Sequence, residues 1–231
     1  MKNPLRKRLP RELKGELGKY LVVFILMVAS IGFVSGFLVA DNSMLIAYNE
    51  SFEKYNIEDG KFETEEKIYK NQQEDIEKKG VTLYENFYVE KVLLNGTTLR
   101  IFKNRTKVDK VCLMKGKLPE KTGEIAIDRM YADNNKLSVG DSLQSGKRKW
   151  KITGLVALSD YSALFQNNND TMFDAVKFGA AVVTEEEFSS FNQSQLVYNY
   201  AWTYTHKPKT EAQEKKKSED FMEELSKDVT L

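Results

Sequence analysis

The feature that constrains this chain most is a run without a single charge, residues 20–40, reading YLVVFILMVASIGFVSGFLVA. As a helix rising about 1.5 Å per residue it is roughly 31 Å long, which matches the ~30 Å hydrocarbon core of a bilayer. A cleaved signal sequence is the rival reading. Its apolar region runs only about 7–15 residues and closes on an A-x-A-like pattern. Here the run is longer and ends on Leu38-Val39-Ala40. The sequence therefore predicts an uncleaved membrane anchor.

Its flanks set the expected orientation. Seven Lys/Arg and two Glu precede the run, whereas Lys54 is the sole cation in the twenty residues that follow it. The positive-inside rule then puts the N-terminus in the cytoplasm and everything from residue 41 outside the cell membrane. Leu5, Leu9, Leu13 and Leu17 recur every four residues among basic ones, a pattern suited to a helix lying on the cytoplasmic membrane surface; a plain charged flank is the alternative. Ala29, Gly32, Gly36 and Ala40, spaced by three, four and four, share one helix face and include a GxxxG. Such a face admits a second transmembrane helix, although Gly and Ala are common in membrane helices anyway.

The remainder must be soluble. Past residue 40 the chain carries 28 basic and 32 acidic side chains. That balance argues against a nucleic-acid partner, which needs clustered excess cations. Thirteen Phe and eleven Tyr still provide for a core. One Cys excludes an internal disulfide, and one His excludes a multi-histidine metal site, so no cofactor or metal is expected.

The residue pattern reads as α+β, an N-terminal transmembrane helix followed by a mixed external domain. Residues 42–55 have helical composition and extend the span as a stalk. Residues 65–79 read as a charged helix stopped at Gly80, with Ile68, Gln72 and Ile76 on one face. Asn95-Gly96 signals a hairpin between residues 91–94 and 97–102. Residues 124–128 read as a buried strand, 129–134 as a helix, and 150–156 as a strand paired with one at Leu143. Residues 178–183 read as a strand, and Thr184 with Glu187 as a capping box for a helix to residue 191. Tyr198, Tyr200, Trp202 and Tyr204 alternate along one strand face, and residues 211–229 close as a helix with Phe221 and Leu225 inward. Two subdomains are expected, one from about 41–110 with 178–231, the other 111–177.

The chemistry of catalysis is missing. There is no phosphate-binding Gly-x-x-x-x-Gly-Lys-[Ser/Thr] and no Gly-x-Ser-x-Gly elbow. A triad would have to use His206, which sits in a polar turn. Glu185–Glu187 reads as first-turn charge favoured by the helix dipole. A non-enzyme is the expectation.

One series of short motifs is more specific. It runs Gly116-Lys117-Leu118-Pro119, Gly123-Glu124-Ile125-Ala126-Ile127-Asp128, Leu137-Ser138-Val139-Gly140-Asp141-Ser142-Leu143, and Trp150-Lys151-Ile152-Thr153-Gly154-Leu155-Val156. In order and spacing it resembles the external core domain of bacterial ABC transporter permeases of the FtsX/MacB type. The resemblance implies a non-catalytic membrane subunit that couples a separate cytoplasmic ATPase to extracytoplasmic transport or mechanotransmission. It implies as partners that ATPase, the lipid bilayer, and further permease helices or a second permease copy. Such permeases carry at least three more transmembrane helices, so the resemblance also implies that this chain is the N-terminal part of a longer one. The alternative left open is a single-pass surface protein that binds a ligand or a protein.

Overall fold

A computed structural model describes residues 14–161, 164–166 and 170–229. Leu5, Leu9 and Leu13 of the expected membrane-surface segment lie outside them. The chain forms two compact units, Met1–Glu50 and Ser51–Leu231.

Residues 17–50 of the first unit lie in helix α1, Leu17–Tyr55. Within α1, Leu17–Asp41 is apolar enough to cross a membrane, with a mean hydropathy of 2.6, and its side chains are unburied by protein. Leu17 itself is part of this helix. Ser30 donates its hydroxyl to the Leu26 carbonyl at 2.8 Å, which satisfies a polar group that lipid could not. No Pro or Gly interrupts residues 42–55, so the helix runs past the apolar stretch. It ends where Asn56 turns left-handed (φ 48°). The Asn56 and Ile57 amides bond back to the Glu53 and Phe52 carbonyls at 3.3 and 3.1 Å, a Schellman-type stop.

The second unit holds two sheets. The smaller is antiparallel, in the order β1 (Gly60–Thr64), β10 (Tyr198–Tyr204), β2 (Val81–Glu85). The aromatic alternation of β10 builds its core. Tyr200 stacks on Phe62 at 5.6 Å, and Trp202 meets Phe221 at 4.9 Å. Phe221 and Leu225 come from helix α5 (Glu211–Asp228), capped by Thr210. Helix α2 is shorter than the sequence pattern indicates, Lys70–Glu77 instead of 65–79. The reason is tertiary: the Ile68 amide is taken by the Tyr200 hydroxyl at 2.9 Å, and helix begins only after it.

The larger sheet is mixed, in the order β3 (Tyr88–Val92), β4 (Thr98–Lys103), β9 (Phe178–Val183), β6 (Glu124–Asp128), β8 (Arg148–Ala157), β5 (Cys112–Gly116), with β7 (Ser142–Ser145) also on β8. It curls until its edges approach. The Leu94 amide bonds Gln144 O at 3.0 Å, and Ser145 Oγ bonds Val92 O at 2.7 Å. Helix α3 (Arg129–Asn134), capped by Asp128 through the Met130 and Tyr131 amides, plugs this curl with the fully buried Tyr131. β3, β4 and β9 stand in one sheet with β5–β8, because β4 pairs in parallel with β9 along six residues.

The motif series knits β5–β8 together. Gly116 (φ 78°) lies so close to β8 that a Cβ there would sit 2.3 Å from Thr153 O, and one on Gly154 would sit 2.5 Å from Lys117 O. Only glycine on both sides lets the chains approach this closely. Asp141 Oδ2 accepts the Ser138 amide at 2.8 Å, closing the bend before β7.

Candidate functional site: a buried ionic joint at the end of α1

The last turn of α1 is fastened to residues 104–112. Tyr55 O accepts the Lys110 amide at 2.8 Å, and Asn56 O accepts the Asp109 amide at 3.0 Å. Asn56 Nδ2 donates to Lys107 O at 2.8 Å, and the Tyr55 hydroxyl donates to Cys112 Sγ at 2.9 Å, at the start of β5. Asp109, like Asn56, is left-handed (φ 46°), a region that Asn and Asp enter more readily than other residues bearing a Cβ.

Behind this seam lies a cluster of charge. Asp109 Oδ1 accepts the Glu58 amide at 2.9 Å, and Asp109 Oδ2 accepts Asn86 Nδ2 at 3.4 Å. Arg105, coming off β4, forks onto Asp160 with both bonds at 2.7 Å; the two side chains are 5% and 2% exposed. Glu58 is 9% exposed, and its nearest cation is Lys61, 3.8 Å from Oε1. Burial, followed by the negative charges of Asp109 and Asp160, pushes Glu58 up to about 9. Asp109 is raised too, by burial and then by Asp160. Burial acts to lower Arg105, but the Asp160 carboxylate outweighs it and holds the guanidinium charged. Glu58 Oε2, Asn104 Oδ1, Arg105 Nε and Ser159 Oγ are buried here without a hydrogen-bond partner in the protein.

The polar chain continues past Asp160. Tyr161, in the 3-10 turn Ser159–Tyr161, packs against Phe102 and receives Arg100 Nη1 on its hydroxyl at 2.9 Å. Arg100 bonds Glu90 at 2.6 Å and Gln166 O at 2.7 Å, with its guanidinium 4.2 Å above the Tyr88 ring. Beyond Gln166, Met172, Phe173 and Val176 are exposed. A run of ionic and polar contacts thus leads from the end of α1 to an apolar surface segment.

Glu187 departs from the sequence reading. Glu185 and Glu186 are exposed first-turn charges, but Glu187 is buried. Thr184 accepts its amide, while its carboxylate accepts the Gly123 amide at 3.0 Å, Trp150 Nε1 at 2.9 Å and Arg148 Nη1 at 3.1 Å. It fastens the motif block where a capping box would have turned it back on its own helix. His206 is exposed just after β10. Ala29, Gly32, Gly36 and Ala40 lie along α1, where nothing comes within 4 Å of a Cβ built on either glycine. Among the described residues no group of three or more His, Cys, Asp or Glu is placed to hold a metal ion.

Sequence reading did not find the joint. Glu58, Arg105, Asp109 and Asp160 are scattered charges in a chain that is 30% charged. The one local hint is that Asn56 follows a helical stretch, where a left-handed stop is common.

No protein-family model and no curated protein matches the sequence. Solved structures similar to this chain include the periplasmic region of MacB from Actinobacillus actinomycetemcomitans, at 11% identity and a TM-score of 0.39, covering 69% of this chain and 74% of that one. The extracellular domain of the ABC-type transporter YknZ from Gram-positive bacteria aligns at 11% identity and a TM-score of 0.36, over 68% of this chain and 88% of that one. A Bacillus anthracis protein described as a lipoprotein aligns at 11% identity and a TM-score of 0.34, over 70% of this chain and 87% of that one.

Proposed function

We propose that this chain is part of the membrane-spanning permease subunit of an ABC transporter, non-catalytic itself, with its N-terminus in the cytoplasm and its second unit outside. A separate cytoplasmic ATPase supplies the work. The small-residue face Ala29/Gly32/Gly36/Ala40 packs against further permease helices or a second copy. The external unit receives displacement of the α1 end and passes it to the exposed residues Phe165, Met172, Phe173 and Val176.

The observation that carries this reading is the fastening of Tyr55 and Asn56 into residues 107–112 by main-chain hydrogen bonds. A passive tether needs only a linker. Here the helix end is built into the domain, next to a charge cluster that leads across the larger sheet to the exposed apolar residues. The motif block supplies the rigid body against which such a displacement works.

Purification of the full chain from its host membranes tests the reading, together with the coding sequence past codon 231. Further apolar spans and a co-purifying ABC ATPase, identified by sequence, are expected. A stop codon after Leu231 with no such ATPase overturns it and leaves the single-pass surface protein.

A further inference from the structure

We propose that Glu58 and Asp109 share one proton, and that this proton is the latch keeping the end of α1 fastened to residues 104–112. The inference deepens the role given to the joint, but it does not depend on an ATPase driving it.

The charge count around the pair is unbalanced. The end of α1 contributes the neutral Tyr55 and Asn56, and β1 contributes Lys61, 3.8 Å from Glu58 and 35% exposed. Residues 104–112 contribute Arg105 and Asp109, with Lys107 and Lys110 held at the seam through their main chains. The β2–β3 connection contributes Asn86, and the turn after β8 contributes Ser159, Asp160 and Tyr161. Arg105 is committed to Asp160 through both of its terminal nitrogens. Three carboxylates, Glu58, Asp109 and Asp160, thus face two cations, Lys61 and an Arg105 that is bonded to Asp160 while its charge also reaches Asp109. Asp109 takes two neutral donors, the Glu58 amide and Asn86 Nδ2. Glu58 Oε2 takes none.

Asp109 Oδ1 sits on the Glu58 amide, and the Glu58 carboxyl comes within hydrogen-bonding reach of the Asp109 carboxyl; two such carboxylates, one with a donor-less buried oxygen, cannot both be ionised without a large penalty. A proton on Glu58, donated toward the Asp109 carboxylate, removes one charge and supplies the missing donor. Both carboxyls are pushed above their ordinary values, burial being the main cause. Loss of the proton to hydroxide leaves two facing anions in a dry site. Asp109 then moves away from Glu58, and its left-handed backbone relaxes with it. The Asp109–Asn56 and Lys110–Tyr55 bonds depend on that backbone.

Amide hydrogen exchange on the full chain in lipid nanodiscs, from pH 6.5 to 10 and corrected for the intrinsic rate, tests this. Peptides spanning residues 52–59 and 106–111 are expected to lose protection at least tenfold between pH 7 and pH 10, while residues 150–156 in the motif block hold theirs. Glu58→Gln, which keeps the shape of the protonated side chain, is expected to hold protection within twofold over the same range. A flat profile in the native chain overturns the proposal, as does an unchanged loss in Glu58→Gln. If Glu58→Gln fails to assemble, Asp109→Asn decides: its amide oxygen still accepts the Glu58 N–H, but the facing charge is gone. Protection should then hold within twofold over the same range, because no second anion faces Glu58, and an unchanged loss overturns the proposal. None of these readouts involves an ATPase, so failure of co-purification and failure of the latch are separate results.

Discussion

The motif block and the joint are built on opposite principles, although both are buried and both carry charge. In residues 116–156 every buried polar side-chain atom among the described residues has a partner, and the left-handed positions are glycines apart from Lys136, just past α3. At the joint four buried polar atoms lack partners, and two of the three left-handed non-glycine residues, Asn56 and Asp109, face each other across a hydrogen bond. A region with all its bonds made has one arrangement. A region with bonds left open loses less when it rearranges, which suits the moving part proposed for it.

The largest effect is expected where Glu187 fastens the block. Glu187→Ala removes the acceptor for the Gly123 amide and for Trp150 Nε1. Arg148, 37% exposed, recovers water, so the cost falls on the two buried donors. A loss of about 2–4 kcal/mol follows, read by denaturant unfolding of the full chain in detergent. A loss under about 1 kcal/mol would mean the block is looser than its hydrogen bonds imply, and the contrast with the joint would fail.

At the joint the sign reverses. Glu58 has a folded value near 9 against an ordinary 4.5. The folded state therefore holds the extra proton between those values, and stability is full below pH 4.5 and falls as pH rises toward 9. Glu58→Gln should remove that slope and stabilise the chain at pH 8, on the order of 2 kcal/mol, since Gln is neutral without the proton that Glu58 must take up on folding at that pH. Unfolding curves at pH 6 and pH 8 check it. A destabilised variant with the native pH slope would show that Glu58 is an ordinary ion-pair member.

The two regions also differ in how far a sequence reveals them. The span 20–40, the strand 124–128, helix 129–134 and the alternation of residues 198–204 follow from length and period, because their partners are generic: lipid, a neighbouring strand, an apolar layer. Gly116, Gly140 and Asp141 were legible because turns demand particular residues. The joint was not. Its four charges come from sequence positions 58, 105, 109 and 160 and meet only after β4 and β8 are in place. Glu187 was misread for the same reason. Its neighbours in sequence made a helix start, whereas its partners Trp150 and Gly123 lie in the other half of the sheet pairing. Helix α2 fell short of its pattern because the Tyr200 hydroxyl claims Ile68.

Arg100 lies on the path out of the joint, and its removal should cost less. Arg100→Lys keeps the charge but gives up the forked contact and the stack on Tyr88. A loss of about 1 kcal/mol is expected, together with faster hydrogen exchange in residues 159–166, which Arg100 holds through Tyr161 and Gln166. Unchanged exchange there would cut the route from the α1 end to the apolar segment.

The smallest effect separates fastening from latch. Tyr55→Phe deletes the hydroxyl that donates to Cys112 Sγ and nothing else at the seam. Sulfur is a weak acceptor, so the loss should stay within about 0.5 kcal/mol. The main-chain bonds from Lys110 and Asp109 remain, and so does the carboxyl pair. The pH dependence of unfolding should therefore match that of the native chain. If Tyr55→Phe instead flattens the pH slope as Glu58→Gln does, the seam holds the charges apart and the proton is a consequence of the fastening. If the slope is kept, the proton is what the fastening depends on, and the region with open bonds is governed by its charge rather than by its fit.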